Sequence, residues 1–203
     1  MASRATVLIA TTNAGKLREI RELLGGVAVD LASLADFPAV PEPEETGTTF
    51  EENARLKARY YARRVAPDGI LTVAEDSGLA IDALDGEPGV HSARFLRPDA
   101  SYPERFAEIE RRLRERPDAA RTARFVCALA AAAGDHVVYE TRGVTEGEIA
   151  WAPAGDAGFG YDPIFYYPPY GQTLAQVTQA RKLAVAHRGQ AFTAFAAWLR
   201  TRN

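Results

Sequence analysis

Apolar residues in this chain come in short runs separated by polar, glycine- and proline-rich stretches, a pattern of strands alternating with helices. Residues 5–10 (ATVLIA) are apolar and partly β-branched and predict a buried strand. A polar turn follows, and then Leu17, Ile20, Leu23 and Leu24 recur at helical spacing up to Gly25-Gly26, with Asn13 placed to cap that helix. Residues 27–31 read as a second strand. Residues 36–48 are acidic and proline-rich and predict irregular chain. A helix is expected over 49–65, with Thr49 and Glu52 spaced as a capping box and Phe50, Ala54, Ala58, Tyr61 and Val65 as its apolar stripe. Asn53 and Lys57 stand four apart and share the face beside that stripe.

Residues 70–74 predict another buried strand, ending at Glu75-Asp76-Ser77-Gly78. Residues 101–116 predict an amphipathic helix with Phe106, Ile109 and Leu113 inward. Residues 122–133 and 136–142 predict a hairpin around Gly134-Asp135. Residues 143–172 are expected to be mostly loop with short strands. Residues 188–201 predict a closing helix with Phe192, Phe195, Ala196 and Leu199 on one face. No repeat or long linker divides the chain, so residues 1–203 are expected to form one α/β domain.

Composition narrows the function. Apolar residues make up 47% and charged residues 25%, which is ordinary for a folded enzyme. A net charge of −3 without a basic run speaks against nucleic acid as a partner, but leaves room for a small anion. The single cysteine, Cys127, lies in an apolar run; it excludes an internal disulfide and reads as a buried hydrophobe. No basic-plus-apolar leader and no apolar run of ~20 residues is present, so a cytoplasmic protein with no membrane partner is expected. Of 24 basic residues only three are lysines: Lys16, Lys57 and Lys182. Lysine offers a point charge where arginine offers a planar fork, so a chain rich in arginine has kept lysine at three specific places.

Four constellations carry candidate chemistry. Thr12-Asn13-Ala14-Gly15-Lys16 lies between a strand and a helix start, where backbone N–H groups and a lysine can hold an anion. A plain helix cap reads the same residues equally well, and there is no Walker loop or dinucleotide fingerprint. Glu75-Asp76-Ser77-Gly78 places carboxylates at the expected end of a strand, where open α/β sheets keep ligand crevices, and Glu44-Glu45 is a third acid source. Gly158-Phe159-Gly160-Tyr161-Asp162-Pro163-Ile164-Phe165 combines glycines, aromatics and an acid suited to holding a base, or to a hydrophobic turn. Lys182, His187 and Arg188 cluster before the last helix. No nucleophile elbow or zinc motif is present, so chemistry by acid, lysine and bound metal fits best.

These blocks occur together in order: ATTNAGKLREI, EETGTTFEENARLKA, AEDSGLAIDALDGEPGVHSARF, GFGYDPIF and KLAVAHRGQAF. The chain resembles the dITP/XTP pyrophosphatase family, also called Ham1-like or inosine triphosphate pyrophosphatase-like, over nearly its whole length. The resemblance implies an elongated α/β fold around a long mixed sheet, with two lobes and a nucleotide cleft. It implies Mg²⁺-dependent cleavage of ITP, dITP and XTP to the monophosphate and pyrophosphate, usually by a homodimer. Thr11, Thr12, Asn13, Ala14, Gly15 and Lys16 would hold the triphosphate. Asp76 would bind the metal and accept the proton of the attacking water, with Glu45 as second ligand and Ser77 on the substrate. Phe159, Gly160, Tyr161 and Asp162 would bracket the purine; Lys182, His187 and Arg188 would complete the site, with His187 and Arg188 reading the base. Lys57 and Arg94 match further nucleotide contacts. Glu75, Ala186 and Gln176 depart from the usual family residues. The alternatives are a Maf-like pyrophosphatase of other specificity, which would show an early Ser-x-x-Arg-Arg pattern missing here, and a nucleotide-binding regulator without turnover.

Overall fold

A computed structural model describes residues 5–67 and 69–202. In chain order it contains β1 (Ala5–Ile9), α1 (Ala14–Leu24), β2 (Val29–Ser33), α2 (Phe50–Arg64), β3 (Leu71–Ile81), α3 (Tyr102–Arg114), β4 (Thr122–Ala133), β5 (His136–Ile149), β6 (Phe165–Tyr167), β7 (Gln172–Thr173), α4 (Gln179–Val185) and α5 (His187–Arg200). The strands form one seven-stranded sheet in the order β2-β1-β3-β4-β5-β6-β7. β1 runs parallel to β2 and β3, while β6 runs antiparallel to β5 and β7, so the sheet is mixed and the fold is α/β.

Contacts group the chain into two units. The first comprises residues 1–76, 127–143 and 188–203; the second comprises 77–126 and 144–187. In the first, Val7, Ile9, Val73 and Leu129 of the strands pack with Ile20, Leu24, Phe192, Phe195 and Leu199 of α1 and α5. In the second, Leu79, Ile81, Phe125 and Phe165 pack with Ile109 and Leu113 of α3 and with Ile164 and Leu174. The apolar stripes expected for α1, α3 and α5 thus supply helical core in both units.

The caps account for the helix starts. Asn13 Oδ1 accepts from the Lys16 N–H at 3.0 Å and opens α1. Ser101 and Glu104 form a reciprocal capping box at α3. At α2 the expected box is only half made: Thr49 Oγ1 accepts from the Glu52 N–H, but the Glu52 carboxylate turns to the N–H and hydroxyl of Thr48.

Three expectations about extent need correction. β3 does not end before Glu75 but runs through Glu75, Asp76, Ser77 and Gly78 to Ile81, almost wholly buried. Two adjacent acids look like a turn in sequence; here buried cations neutralise them, and the strand continues. Gly78 allows this strand a close approach, since a Cβ there would lie 2.3 Å from Ser92 Oγ and 2.6 Å from Gly89 O. β5 extends to Ile149 rather than 142, so part of the stretch expected as loop is strand. The segment before the last helix is itself helical: Thr178 caps α4, and Ala186, extended at ψ 144°, separates it from α5.

Candidate active site

In the first unit the turn after β1 is solvent-facing and held by its own side chains. The Asn13 N–H donates to Thr11 Oγ1 at 3.2 Å, and Asn13 in turn caps α1. Thr12, Asn13 and Ala14 are exposed, and Gly15 and Lys16 are half-buried. The turn therefore presents backbone N–H groups and one ammonium at a helix start, a suitable anion cradle. Lys16 Nζ lies 2.9 Å from Glu75 Oε1.

One turn of α2 organises the acids. Lys57 Nζ lies 2.8 Å from Glu45 Oε1 and 2.7 Å from Asp76 Oδ1, so one ammonium bridges the two expected metal ligands. Asn53, four residues earlier and fully buried, donates from Nδ2 to Asp76 Oδ2 at 3.3 Å. Its Oδ1 accepts from the Gly47 N–H at 2.8 Å. Asn53 thereby ties the acidic loop carrying Glu45 to the carboxylate of Asp76. Gly47 is required at this approach, where a Cβ would meet Asn53 Oδ1 at 2.6 Å.

The two neighbouring acids of β3 have opposite electrostatic environments. Burial is the largest influence on Glu75 and raises its pKa, but Arg188 and Lys16 overturn it and hold the carboxyl well below the usual range. Burial also dominates at Asp76, and there it wins: with Lys57 as its main counter-charge, Asp76 sits above the usual range. The two adjacent carboxyls are thus shifted in opposite directions, Glu75 down and Asp76 up.

Arg188 lies in the first turn of α5. Its guanidinium is buried and donates from Nη1 to Glu19 Oε2 at 2.7 Å, and from Nε and Nη2 to Glu75 Oε1 at 3.3 and 3.1 Å. Cys127 Sγ completes this cluster, donating to Glu75 Oε2 at 3.2 Å. Burial, together with the charge of Glu75, pushes the thiol well up, so Cys127 is the inert buried residue expected. Arg188 thus joins Glu19 and Glu75 in one buried ionic cluster.

In the second unit the aromatic loop is braced from within. The Phe159 N–H donates to Asp162 Oδ2 at 2.8 Å, and Lys182 Nζ reaches the same oxygen at 2.6 Å. The Lys182 ammonium also lies 4.6 Å from the centre of the Phe159 ring, a cation–π contact. Gly158 and Gly160 have φ of +74° and +69°, a backbone that glycine adopts without strain. Tyr161 is buried and its hydroxyl donates to Ser92 O at 2.8 Å, so it forms the floor of the loop rather than a face offered to a ligand. His187 stacks on Phe125 at 4.9 Å between ring centres. Ser77 and Arg94 are half-buried, Arg94 closing a 3₁₀ turn over Gly89–Arg94.

The structure therefore brings Lys16, Glu45, Lys57, Asp76 and Arg188 together in one unit, and Phe159, Asp162 and Lys182 in the other. Sequence reasoning missed the roles of Glu19, Asn53 and Glu75. Only the spacing of Asn53 and Lys57 on one face of α2 hinted at the second of these.

Comparison with known proteins shows the family. A Ham1 family profile matches residues 7–198. The dITP/XTP pyrophosphatase of Exiguobacterium sibiricum is 46% identical over 195 residues, spanning 96% of this chain and 97% of that protein. That of Geobacillus kaustophilus is 45% identical over 187 residues, spanning 92% and 90%. Among solved structures, a HAM1 protein from Coxiella burnetii superposes with a TM-score of 0.89 at 38% identity, covering 97% of this chain and 99% of the other. The Staphylococcus aureus Ham1 protein gives 0.85 at 33% identity, covering 98% and 100%. A chain matched so completely in sequence and fold belongs to the Ham1 family.

Proposed function

We propose that this chain is a Mg²⁺-dependent pyrophosphatase that hydrolyses ITP, dITP and XTP to the nucleoside monophosphate and pyrophosphate, clearing deaminated purines from the nucleotide pool. The observation that carries this reading is the pair of adjacent acids in β3, Glu75 held ionised by Arg188 and Lys16 and Asp76 raised by burial. The names of its relatives, dITP/XTP pyrophosphatases, support the substrate class.

Asp76 and Glu45 would hold the ion; both carboxylates reach Lys57 Nζ, at 2.7 and 2.8 Å. Mg²⁺ uses one or two carboxylates and takes its remaining ligands from phosphates and water, so this donor set fits it. When bound, the ion would supply positive charge to the triphosphate. The protein's own part is positioning and proton transfer. Thr11, Thr12, Asn13, Ala14, Gly15 and Lys16 hold the triphosphate, with Ser77, Lys57 and Arg94 as further contacts. Asp76 accepts the proton of a water whose oxygen attacks the α-phosphorus, opposite the oxygen that bridges to the β-phosphate. The P–O bond breaks and pyrophosphate departs, its charge offset by Lys16. A purine stacked on Phe159 takes the ring face opposite Lys182, with Gly160, Tyr161 and Asp162 shaping the loop and His187 beside it. Among the described residues no helix is long and apolar enough to cross a membrane. A cytoplasmic homodimer is proposed from the family resemblance.

The test is pyrophosphate release from ITP, dITP, XTP, GTP and ATP, with Mg²⁺ and with EDTA. Deaminated purines cleaved best, and only with metal, support the reading. Release of orthophosphate, or a preference for ATP, overturns it.

A further inference from the structure

Arg105, on the inner face of α3, is a buried cation that the proposed chemistry does not use: it is 3% exposed. Its hydrogen bonds go to backbone carbonyls and to the Tyr161 hydroxyl, with no carboxylate partner among the described residues. Nη1 donates to Ser92 O at 3.3 Å, and Nη2 to Arg97 O at 3.5 Å and Pro98 O at 3.4 Å. Nε has no hydrogen-bond partner. The guanidinium lies over the Tyr102 ring at 5.0 Å from its centre. Burying an uncompensated charge is costly, and carbonyl dipoles with one aromatic face offset that cost only in part. For stability alone, an apolar side chain of the same length would serve this position as well or better.

The contacts of Arg105 indicate what it accomplishes. The three carbonyls flank Arg94 on both sides in sequence, so one side chain pins the segment that carries it. Ser92 O also accepts the Tyr161 hydroxyl at 2.8 Å, and Tyr102 meets the Tyr161 ring edge-on at 5.4 Å between centres. Tyr161 belongs to the loop whose Phe159 and Asp162 are braced by Lys182. Arg105 and Tyr161 thus converge on a single carbonyl, from α3 and from the aromatic loop. Burial lifts the Tyr161 phenol to about 12, against the opposing charge of Arg105, so Tyr161 stays a neutral donor to that carbonyl.

We infer that Arg105 is a positioning residue for nucleotide binding, fixing the Arg94 segment and the aromatic loop in register through the Ser92 carbonyl and Tyr102. The inference rests on the proposed function, because it takes those two elements to grip the substrate. Arg105 touches no reacting atom, so it governs how well substrate is held more than how fast it is cleaved.

The experiment compares wild type, Arg105→Met, Arg105→Lys, Tyr161→Phe and the double variant Arg105→Met with Tyr161→Phe. KM and kcat are measured on dITP, and thermal unfolding in parallel. Arg105→Met should raise KM by about tenfold and leave kcat within about twofold, the signature of lost binding rather than lost chemistry. Its Tm should hold or rise, because an unpaired buried charge has gone. Arg105→Lys should recover part of the KM. The double variant should raise KM by less than the product of the two single effects, because both act through Ser92 O. An unchanged KM in Arg105→Met, or strictly multiplicative effects, overturns the inference. If Arg105→Met does not fold, Arg105→Lys decides: a raised KM at wild-type Tm supports positioning, and activity falling in step with Tm overturns it. A wild type inactive on dITP and the other deaminated purines overturns the proposed function and this inference with it. An active wild type with an indifferent Arg105→Met overturns the inference alone.

Discussion

The Arg188 guanidinium grips Glu75 from two nitrogens, at 3.3 and 3.1 Å to the same carboxylate oxygen. A third nitrogen holds Glu19 at 2.7 Å, so the arginine spans two buried acids, one in α1 and one in β3. Glu75 in turn holds Lys16 at 2.9 Å, which makes Arg188 a remote support for the turn after β1.

Arg188→Ala is therefore expected to reduce kcat/KM for ITP and ATP by similar factors, leaving discrimination nearly intact. It should also destabilise the fold by about 3–5 kcal/mol, because two carboxylates lose a buried partner. Parallel kinetics on both triphosphates, with urea unfolding, check this. A selective loss of ITP hydrolysis at wild-type stability would return Arg188 to the role of base reader.

Asp76→Asn and Glu75→Gln should part company. Asp76→Asn removes the proton acceptor while keeping shape, so turnover should fall by about 10²–10⁴ with the fold retained. Glu75→Gln leaves Arg188 and Lys16 without their shared anion, so its activity loss should come with a lower Tm. Calorimetry beside pyrophosphate release separates the two. Near wild-type turnover in Asp76→Asn would remove it from the chemistry.

Lysine should resist replacement by arginine at two sites. Lys182 is buried, 2.6 Å from Asp162 and stacked on Phe159, so the larger fork must displace one or both. Lys16 is more exposed, and Lys16→Arg should fold normally yet weaken triphosphate binding. Steady-state kinetics and melting curves on both variants test this. Unchanged kcat/KM in both would reduce the lysine pattern to composition.

Acid should loosen α3 in a defined window. Glu104 is held to about 2 by the Ser101 hydroxyl first and by Arg97, and Glu108 to about 2 by Arg111 first and by Arg112. Both are depressed from an unfolded value of 4.5, so their contribution is fully present above that value and is lost as pH falls toward about 2. The urea midpoint should fall between pH 5 and 2, and Glu104→Gln with Glu108→Gln should flatten that fall. Both groups are exposed, so the slope should be shallow and weaken with salt. An unaltered slope in the double variant would place the acid sensitivity elsewhere.

The local signals in the chain were legible because they are local. Asn13 before an apolar period of 3.6 places α1, and Ser101 with Glu104 places the start of α3, by interactions spanning three residues. The five ordered motifs also identified the family and the candidate acids, lysines and aromatic loop. Strand extent was less legible where charge interrupts β3, because whether a buried acid is tolerated depends on partners far along the chain. The α4 helix was hidden by its short length.

The sequence by itself determined most of the helices and strands, though not α4, together with the family and the cast of chemical groups, since each of these is written in short stretches of chain. Only the tertiary structure decided which acid is held below the usual range and which is raised above it. Glu75 meets Arg188 across 113 positions and Glu19 meets it across 169, while Asp76 finds Lys57 across 19. The two carboxylates are adjacent in the chain and chemically alike, so nothing local distinguishes them. Burial raises both, and the number of cations that folding delivers to each settles the difference.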